Sequence, residues 1–496
     1  MVVAIQIKNQ KRAGVGACLK VLPPVFAGVF CGFAVAQQPD PALPTAPSAV
    51  VRPLQLASGV VIPQETPGAM PLTLDQAITL GLKSNAQILI QGQQERSVKG
   101  QTLSVENALL PSLTASAYTR AQEINLAAMG FKPSALAGLS IPGFNIADIQ
   151  EIVKVNTTNA QLALNQQLFN APAYFLYKAA KKASDAATWN TLNVRGGVVL
   201  AVGGYYLRTL ADQAQLKNAQ ALVKQDQLVY DHAKAERDAG VGINLDVLRA
   251  QVQLQNEQQE TIRDEAAVAK DKIALNRQMG QPAGQELDLV DTVPFAEYTG
   301  LSLEDERALA FTRRKDLLGL QSQLDVATQT ARAVKYERLP TVGAGGFYGV
   351  LGETTGLYHG VFAAQGKVQF PIFEEAELRG QKEVAQAQII GLKRNIDGLK
   401  VQIEADIRSA QLDVDTYDEL VKVARSNQDL SAQELQDATD RYKAGVDDDL
   451  PVVRAQATLQ GAEAQVIQAE FQYNYAKLRL SRSIGVTETQ YKQFLR

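Results

Sequence analysis

The chain has 496 residues, enough for two or three domains, with a formal net charge of −3, two His, two Cys, one Trp and only 6% aromatic residues. That balance gives no drive toward nucleic acid and predicts no nucleic-acid partner. Two histidines and two cysteines leave little for a zinc centre or a nucleophilic triad.

The chain opens with a targeting segment, residues 1–36. Lys8, Lys11 and Arg12 form a basic region, Val21–Val35 is apolar, and Ala34-Val35-Ala36 is an A-x-A site with cleavage expected after Ala36. Removal takes four basic residues and no acidic one, moving the net charge from −3 to −7. Cys18 and Cys31 leave with it, so the mature chain has no thiol or disulfide chemistry. Neither suits a lipid anchor, because Cys31 follows bulky Phe30 and Cys18 has no apolar stretch before it. Residues 37–71 are a Pro-rich linker, with Pro at 39, 41, 44, 47, 53, 63, 67 and 71. Such a segment is expected to be extended, and mobile or draped over the surface.

A first repeat is expected over 72–280. It begins with Thr73 as N-cap, Asp75 in the first turn and Leu74, Ile78 and Leu82 at helical spacing. Helix is predicted to reach Pro111, with interruptions placed near Gly92 and Gly100. A β-hairpin follows at about 112–168, because Ala160, Leu162 and Leu164 alternate with Asn159, Gln161 and Asn165. Its loop carries about 25 residues more than its counterpart in the second half, around 131–149. A proline-free helix of 68 residues at about 171–238 would span about 100 Å at ~1.5 Å per residue. Within it, Gly196–Leu207 is too short and too Gly-rich for a membrane helix of ~20 residues and reads as a close helix contact. A tip turn at 239–244 leads to a return helix at about 245–279. Its expected seam is Leu248, Val252, Gln255, Gln259, Ile262, Ala266, Ala269 and Ile273.

Residues 281–300 link this repeat to a second at 301–485. It opens the same way, with Ser302 as cap and helix to Pro340. A hairpin is placed at about 341–370, a long helix at about 374–444, a tip turn at 445–450 and a return helix at about 451–484; 486–496 is a short tail. In the long helix, Ile403, Ile407, Ala410, Val414, Tyr417, Val421 and Ala424 follow 4,3,4,3 spacing. The return helix repeats it through Val453, Ala457, Gln460, Ala464, Ile467 and Phe471. These seams are thin and partly polar, which fits a ring of helices around a wet interior better than a two-stranded coiled coil. The duplication is direct: Glu236–Gly280 and Arg441–Gly485 align without a gap at an offset of 205, with 16 of 45 positions identical.

No phosphate loop, metal motif or catalytic cluster is present, and the chain is expected to be no enzyme and to need no cofactor. Asp447, Asp448 and Asp449 are the one notable charge cluster. Two readings stand: a solvated turn whose acids favour the next helix N-terminus, or, if copies meet in a ring, a negative collar favouring cations. The hairpins present one apolar and one polar face, which a membrane barrel satisfies, but four strands cannot close one and spanning barrels start at about eight. The strands therefore predict an oligomer if they span a membrane.

Four paired motifs resemble the outer-membrane efflux protein family, the TolC-type channel-tunnels. They are "LTLDQAI" with "LSLEDERAL", Pro111 with Pro340, "LNQQLFNA" with "VQFPIFEEAELRG", and "AGVGINLDVLRAQ" with "AGVDDDLPVVRAQ". The resemblance covers the whole mature chain after the linker. It implies a mainly α fold with a transmembrane β component, assembling as a homotrimer. A 12-stranded barrel in outer-membrane lipid would continue as a periplasmic α-helical barrel. It further implies a passive exit duct of a tripartite efflux or type I secretion system, with a periplasmic adaptor (membrane fusion) protein and an inner-membrane transporter as partners. The tips would contact the adaptor through Gly240, Leu245, Asp246, Arg249, Arg441, Gly445, Leu450 and Arg454. Asp447, Asp448 and Asp449 would line the periplasmic entrance. Arg441 and Tyr442 match the family's basic–aromatic tip pattern; Glu236, Arg237 and Pro451 depart from it. The alternative from another class is a soluble periplasmic coiled-coil scaffold.

Overall fold

The computed structural model describes residues 65, 67–130, 151–291, 296–372, 374–444, 446 and 450–495. The targeting segment, nearly all of the Pro-rich linker, the extra hairpin loop, Pro294, Gly445 and Asp447–Asp449 lie outside the described residues.

Strand β1 (Met70–Leu72) and helices α1 (Leu74–Ser84) and α2 (Ala86–Glu106) open the first repeat. Thr73 caps α1 as expected: its hydroxyl accepts from Gln76 N at 3.3 Å, and the Gln76 side chain accepts from Thr73 N at 3.0 Å. The interruption expected near Gly92 and Gly100 falls elsewhere. It lies at Asn85, which has extended φ/ψ (−63°, 128°) and caps α2 by accepting from Gln87 N at 2.9 Å. An internal glycine only weakens a helix, whereas a side-chain cap offers the backbone another partner and starts a new one. The second repeat breaks at Arg314, between α5 (Leu303–Arg313) and α6 (Lys315–Tyr336).

The hairpins are longer than the alternation alone marked. Strands β2 (Ser112–Asn125) and β3 (Ile152–Phe169) pair antiparallel, as do β5 (Thr341–Glu353) and β6 (Tyr358–Gln369). β3 also pairs with β5, so one sheet of order β2-β3-β5-β6 joins the two repeats. Register puts Leu113, Leu164 and Gly346 in one row and Ala115, Leu162, Tyr348 and Phe362 in the next. The other face carries Ser116, Gln161 and Gly349 in one row and Tyr118, Asn159 and Leu351 in another. Alternation therefore yields one apolar and one largely polar sheet face.

Long helices α3 (Ala171–Asp238) and α7 (Glu375–Lys443) return as α4 (Asn244–Met279) and α8 (Leu450–Ile484). Near the strands the wall runs α2-α3-α6-α7; farther down, α4 and α8 take the places of α2 and α6 beside α3. The α7 seam is buried as read, with Ile403, Ile407 and Val421 fully enclosed. The return-helix seams are not. Leu248, Val252, Ile262 and Ile273 are half or more exposed, and α4 buries Val247, Leu254, Val268 and Leu275 instead. In α8 the enclosed residues are Ala455, Ala462, Val466 and Tyr473, while Val453 is exposed. On α4 one of two adjacent heptad stripes packs inside the chain and the other is left outside; on α8 the expected stripe is exposed at Val453 and Ala457, half-buried at Gln460, Ala464 and Ile467, and ends with Phe471 against the middle core.

The main core lies midway along the helices. Val198, Val199, Val202, Tyr206 and Leu207 of α3 meet Ile78, Leu275, Met279 and Leu478. The Gly-rich stretch is the close contact expected: a Cβ on Gly203 would stand 2.6 Å from Leu478 Cδ2. The link contains an unforeseen strand β4 (Leu287–Leu289), parallel to β1, so Pro71 belongs to a strand and not to the linker. The tail is a helix, α9 (Thr487–Leu495), which buries Tyr491, Phe494 and Leu495.

Candidate functional site: tip turns and a helix-lined groove

α3 ends because Gly240 takes a left-handed φ of 76°. Gly240 N then donates to Arg237 O (2.9 Å) and Val241 N to Glu236 O (3.0 Å), satisfying the last carbonyls. At the other tip Val446 N donates to Arg441 O (3.1 Å), the same 6→1 bond at the end of α7. The duplicated AGV sequence thus makes equivalent helix stops. Gly240, Leu245, Asp246 and Arg249 collect at the α3–α4 tip, where Asp246 and Arg249 form an exposed ion pair at 3.5 Å. Arg441, Leu450 and Arg454 stand at the ends of α7 and α8, with Leu450 exposed. Gly445 and the three Asp are not among the described residues.

Between the strands and the middle core, α2, α3, α6 and α7 together line a groove of about 610 Å³. Gln91, Gln94, Asn190, Asn193 and Gln323 supply carboxamides, and Lys315 and Asp316 supply charge. Ala183, Ala186, Ala187, Leu320, Val326 and Leu399 also line it, so the groove sets polar groups among apolar ones. The polar sheet face continues the theme: Asn159 donates to the Tyr118 hydroxyl (3.1 Å) and to Gln161 (3.2 Å).

Polar groups that pattern reading did not single out occupy the seam below the core. Asp212 and Asp226 of α3 face Glu257, Asp264 and Asp271 of α4, at seven-residue intervals on α4. Burial, then the neighbouring Asp271, push Asp212 up to about 7. Burial also raises Asp226, Glu257, Asp264 and, on α8, Glu463. The 7-residue spacing was the available signal. No group of three or more His, Cys, Asp or Glu among the described residues has the geometry to hold a metal ion.

The sequence pattern of outer membrane efflux proteins matches residues 78–281 and 307–486. The chain belongs to that family. The match falls in two blocks, one over most of each expected repeat. "Probable efflux pump outer membrane protein SepC" and "Toluene efflux pump outer membrane protein TtgF", both from Pseudomonas putida, are each 24% identical over 326 residues. These matches cover 62% of this chain and 65% of either relative, just under two thirds of its length. The CmeC outer membrane channel of Campylobacter jejuni superposes with a TM-score of 0.70 at 14% identity, over 85% of this chain and 89% of that one. The fold is therefore that of a TolC-like channel-tunnel, and the family places the chain in the outer membrane, extending into the periplasm. No described helix is long and apolar enough to cross a membrane.

Proposed function

We propose that three copies of the chain form a channel-tunnel, the passive exit duct of a tripartite efflux or type I secretion system. The observation that carries this is the four-stranded sheet. Among the described residues its outer strands β2 and β6 each have one unpaired edge, one face is apolar, and the other is largely polar. Open edges in lipid are not tolerated, and known spanning barrels need about eight strands or more. Three sheets give twelve. The exposed stripe on α4 and a second on α7, through Val401, Leu412, Val423 and Leu430, supply apolar surface for neighbouring helices.

In this reading the duct does no chemistry. The helical tips dock a periplasmic adaptor, and an inner-membrane transporter drives cargo. Gly240, Leu245, Asp246, Arg249, Arg441, Gly445, Leu450 and Arg454 shape or contact that junction. Asp447, Asp448 and Asp449 line the entrance. The names of the P. putida relatives, one of them a toluene pump, favour small-molecule efflux over protein secretion.

The deciding experiment is light scattering on the unheated, detergent-extracted outer-membrane fraction, corrected for bound detergent. Three times the subunit mass supports the duct; a monomer released from the periplasm by osmotic shock supports a scaffold instead. For the entrance, replacing Asp447, Asp448 and Asp449 by Ala weakens cation preference in bilayer conductance. Unchanged selectivity removes those residues from the pore.

A further inference from the structure

Below the middle core, the contacts between helices change character. Above it, α3 meets its neighbours through Val198, Val202, Tyr206 and Leu207. Below it, the α4 stripe that faces α3 reads Leu254, Glu257, Thr261, Asp264, Val268, Asp271 and Leu275, three acids among the apolar residues. The facing residues of α3 are Asp212, Ala219 and Asp226, again seven apart. Asp212 meets Asp271 directly, and the buried Oδ2 of Asp264 accepts no hydrogen bond.

The same acids hold the first coil to the second. Among the described residues, three side-chain hydrogen bonds link α8 to α3 and α4 below the core. Asn218 donates to Glu463 (3.2 Å), Gln456 to Asp226 (3.3 Å) and Gln460 to Glu257 (3.0 Å). Each pairs a carboxamide with a carboxyl group, and each of the three carboxyl groups is half-buried or deeper. The charged groups around them are nearly all of one sign. α3 contributes Asp212 and Asp226; α4 contributes Glu257, Glu260, Asp264 and Asp271; α8 contributes Glu463. Two cations meet them: Arg208, 2.8 Å from Asp271 and 4.0 Å from Asp212, and Arg263 of α4, 2.8 Å from Glu260. Lys217, Lys224, Lys270 and Lys272 lie on the same helices, but none forms an ion pair with these acids among the described residues.

We infer that this carboxyl seam is a proton-operated joint between α3 and α4, closed when protonated and loosened when ionised. Protonated, Asp212 donates to the Asp271 carboxylate, which Arg208 also holds. Ionised, the two carboxylates repel in a site with one shared guanidinium, and the neighbouring acids add to the field. The sign follows from linkage. A carboxyl group raised above its unfolded value binds its proton more tightly in the closed seam, so closure is fully favoured at low pH and lost as pH rises through the raised value, near 7 for Asp212. The inference rests on the duct reading only for what the joint controls. If α3, α4 and α8 form the periplasmic end of a duct, loosening lets that end widen.

The test is hydrogen–deuterium exchange by mass spectrometry on the purified full-length protein in detergent at pH 6, 7 and 8, corrected for the intrinsic exchange rate. Peptides covering 205–230 and 254–275 are expected to lose protection by about tenfold between pH 6 and 8, most of it below pH 7, as the one proton bound by the closed seam is released. The apolar α7 seam around Ile403–Val421 serves as control in the same molecule and should hold its protection. The double variant D212N/D271N should keep the 254–275 protection flat across the range. Equal protection at pH 6 and 8 in the unaltered protein, or an equal loss in the α7 control, overturns the inference whether or not the variant folds. Failure of the duct reading shows separately, as absence of bilayer conductance at every pH.

Discussion

Tyr206 sits fully buried on α3, and its hydroxyl lies 2.8 Å from Asp291 Oδ2 and 2.9 Å from the Leu72 carbonyl. Leu74 N donates to the same Asp291 oxygen at 2.7 Å. One side chain thereby ties the long helix to the strand pair and to the start of α1. Tyr206→Phe removes both hydroxyl bonds while each acceptor keeps a backbone donor, Leu74 N on Asp291 and Val290 N on the Leu72 carbonyl, and should cost about 1–2 kcal/mol, read as a lowered thermal unfolding midpoint. Lys477 is also fully enclosed; its ammonium donates to Ala296 O at 3.1 Å and lies 4.5 Å from the centre of the Tyr473 ring. Burial pushes its pKa from 10.5 down to about 8. The folded state therefore holds this proton less tightly than the unfolded chain. The stabilising contribution is full above 10.5 and is lost as pH falls through 8. Lys477→Met should flatten the rise in unfolding midpoint between pH 8 and 10 that the unaltered protein shows. Neither residue stood out in sequence, because a lone Tyr or Lys on a helix carries no mark of what will cover it.

Glycines with the same backbone sign separate local from tertiary demands at the scale of elements. Gly240 has φ 76° and an added Cβ would meet nothing within 4 Å. Gly280, at the end of α4, has φ 69°, and its Cβ would fall on the Ser84 carbonyl oxygen. Gly240→Ala should cost only the left-handed backbone term, about 1–2 kcal/mol, and leave yield intact. Gly280→Ala adds a collision with backbone that α1 and α2 cannot both avoid. It should lower the yield of folded protein from membranes, and equal yields for the two variants would refute the distinction. Both glycines were legible from the duplicated motif. The breaks at Asn85 and Arg314 share the offset of 229 that relates Thr73 to Ser302, so the repeat contained that signal. The return-helix seams were misread for a different reason. Adjacent heptad stripes on α4 have similar composition, and only the partner decides which is buried.

For the whole molecule, the misread stripe becomes informative. Leu248, Val252, Ile262 and Ile273 repeat at coiled-coil spacing yet face out of the chain. Leu248→Glu with Val252→Glu should leave helix content by circular dichroism unchanged while reducing the oligomer mass by light scattering. Loss of helix content instead would assign the stripe to the chain's own folding. Such charges cost little in water and much against an apolar neighbour.

The sequence alone determined the duplicated plan, the long proline-free helices, the four strands with their apolar face, and the helix stops at the tips. Those are local or periodic properties, written in spacing, caps and turn residues. The tertiary structure decided which heptad stripe is inside, that β3 joins β5 to make one sheet of both hairpins, and that the link and tail fold onto the middle core as β4 and α9. It also gathered acids on α3, α4 and α8, far apart in the chain, into one seam. Burial and long-range neighbours set those outcomes, and neither is a property of any segment taken by itself.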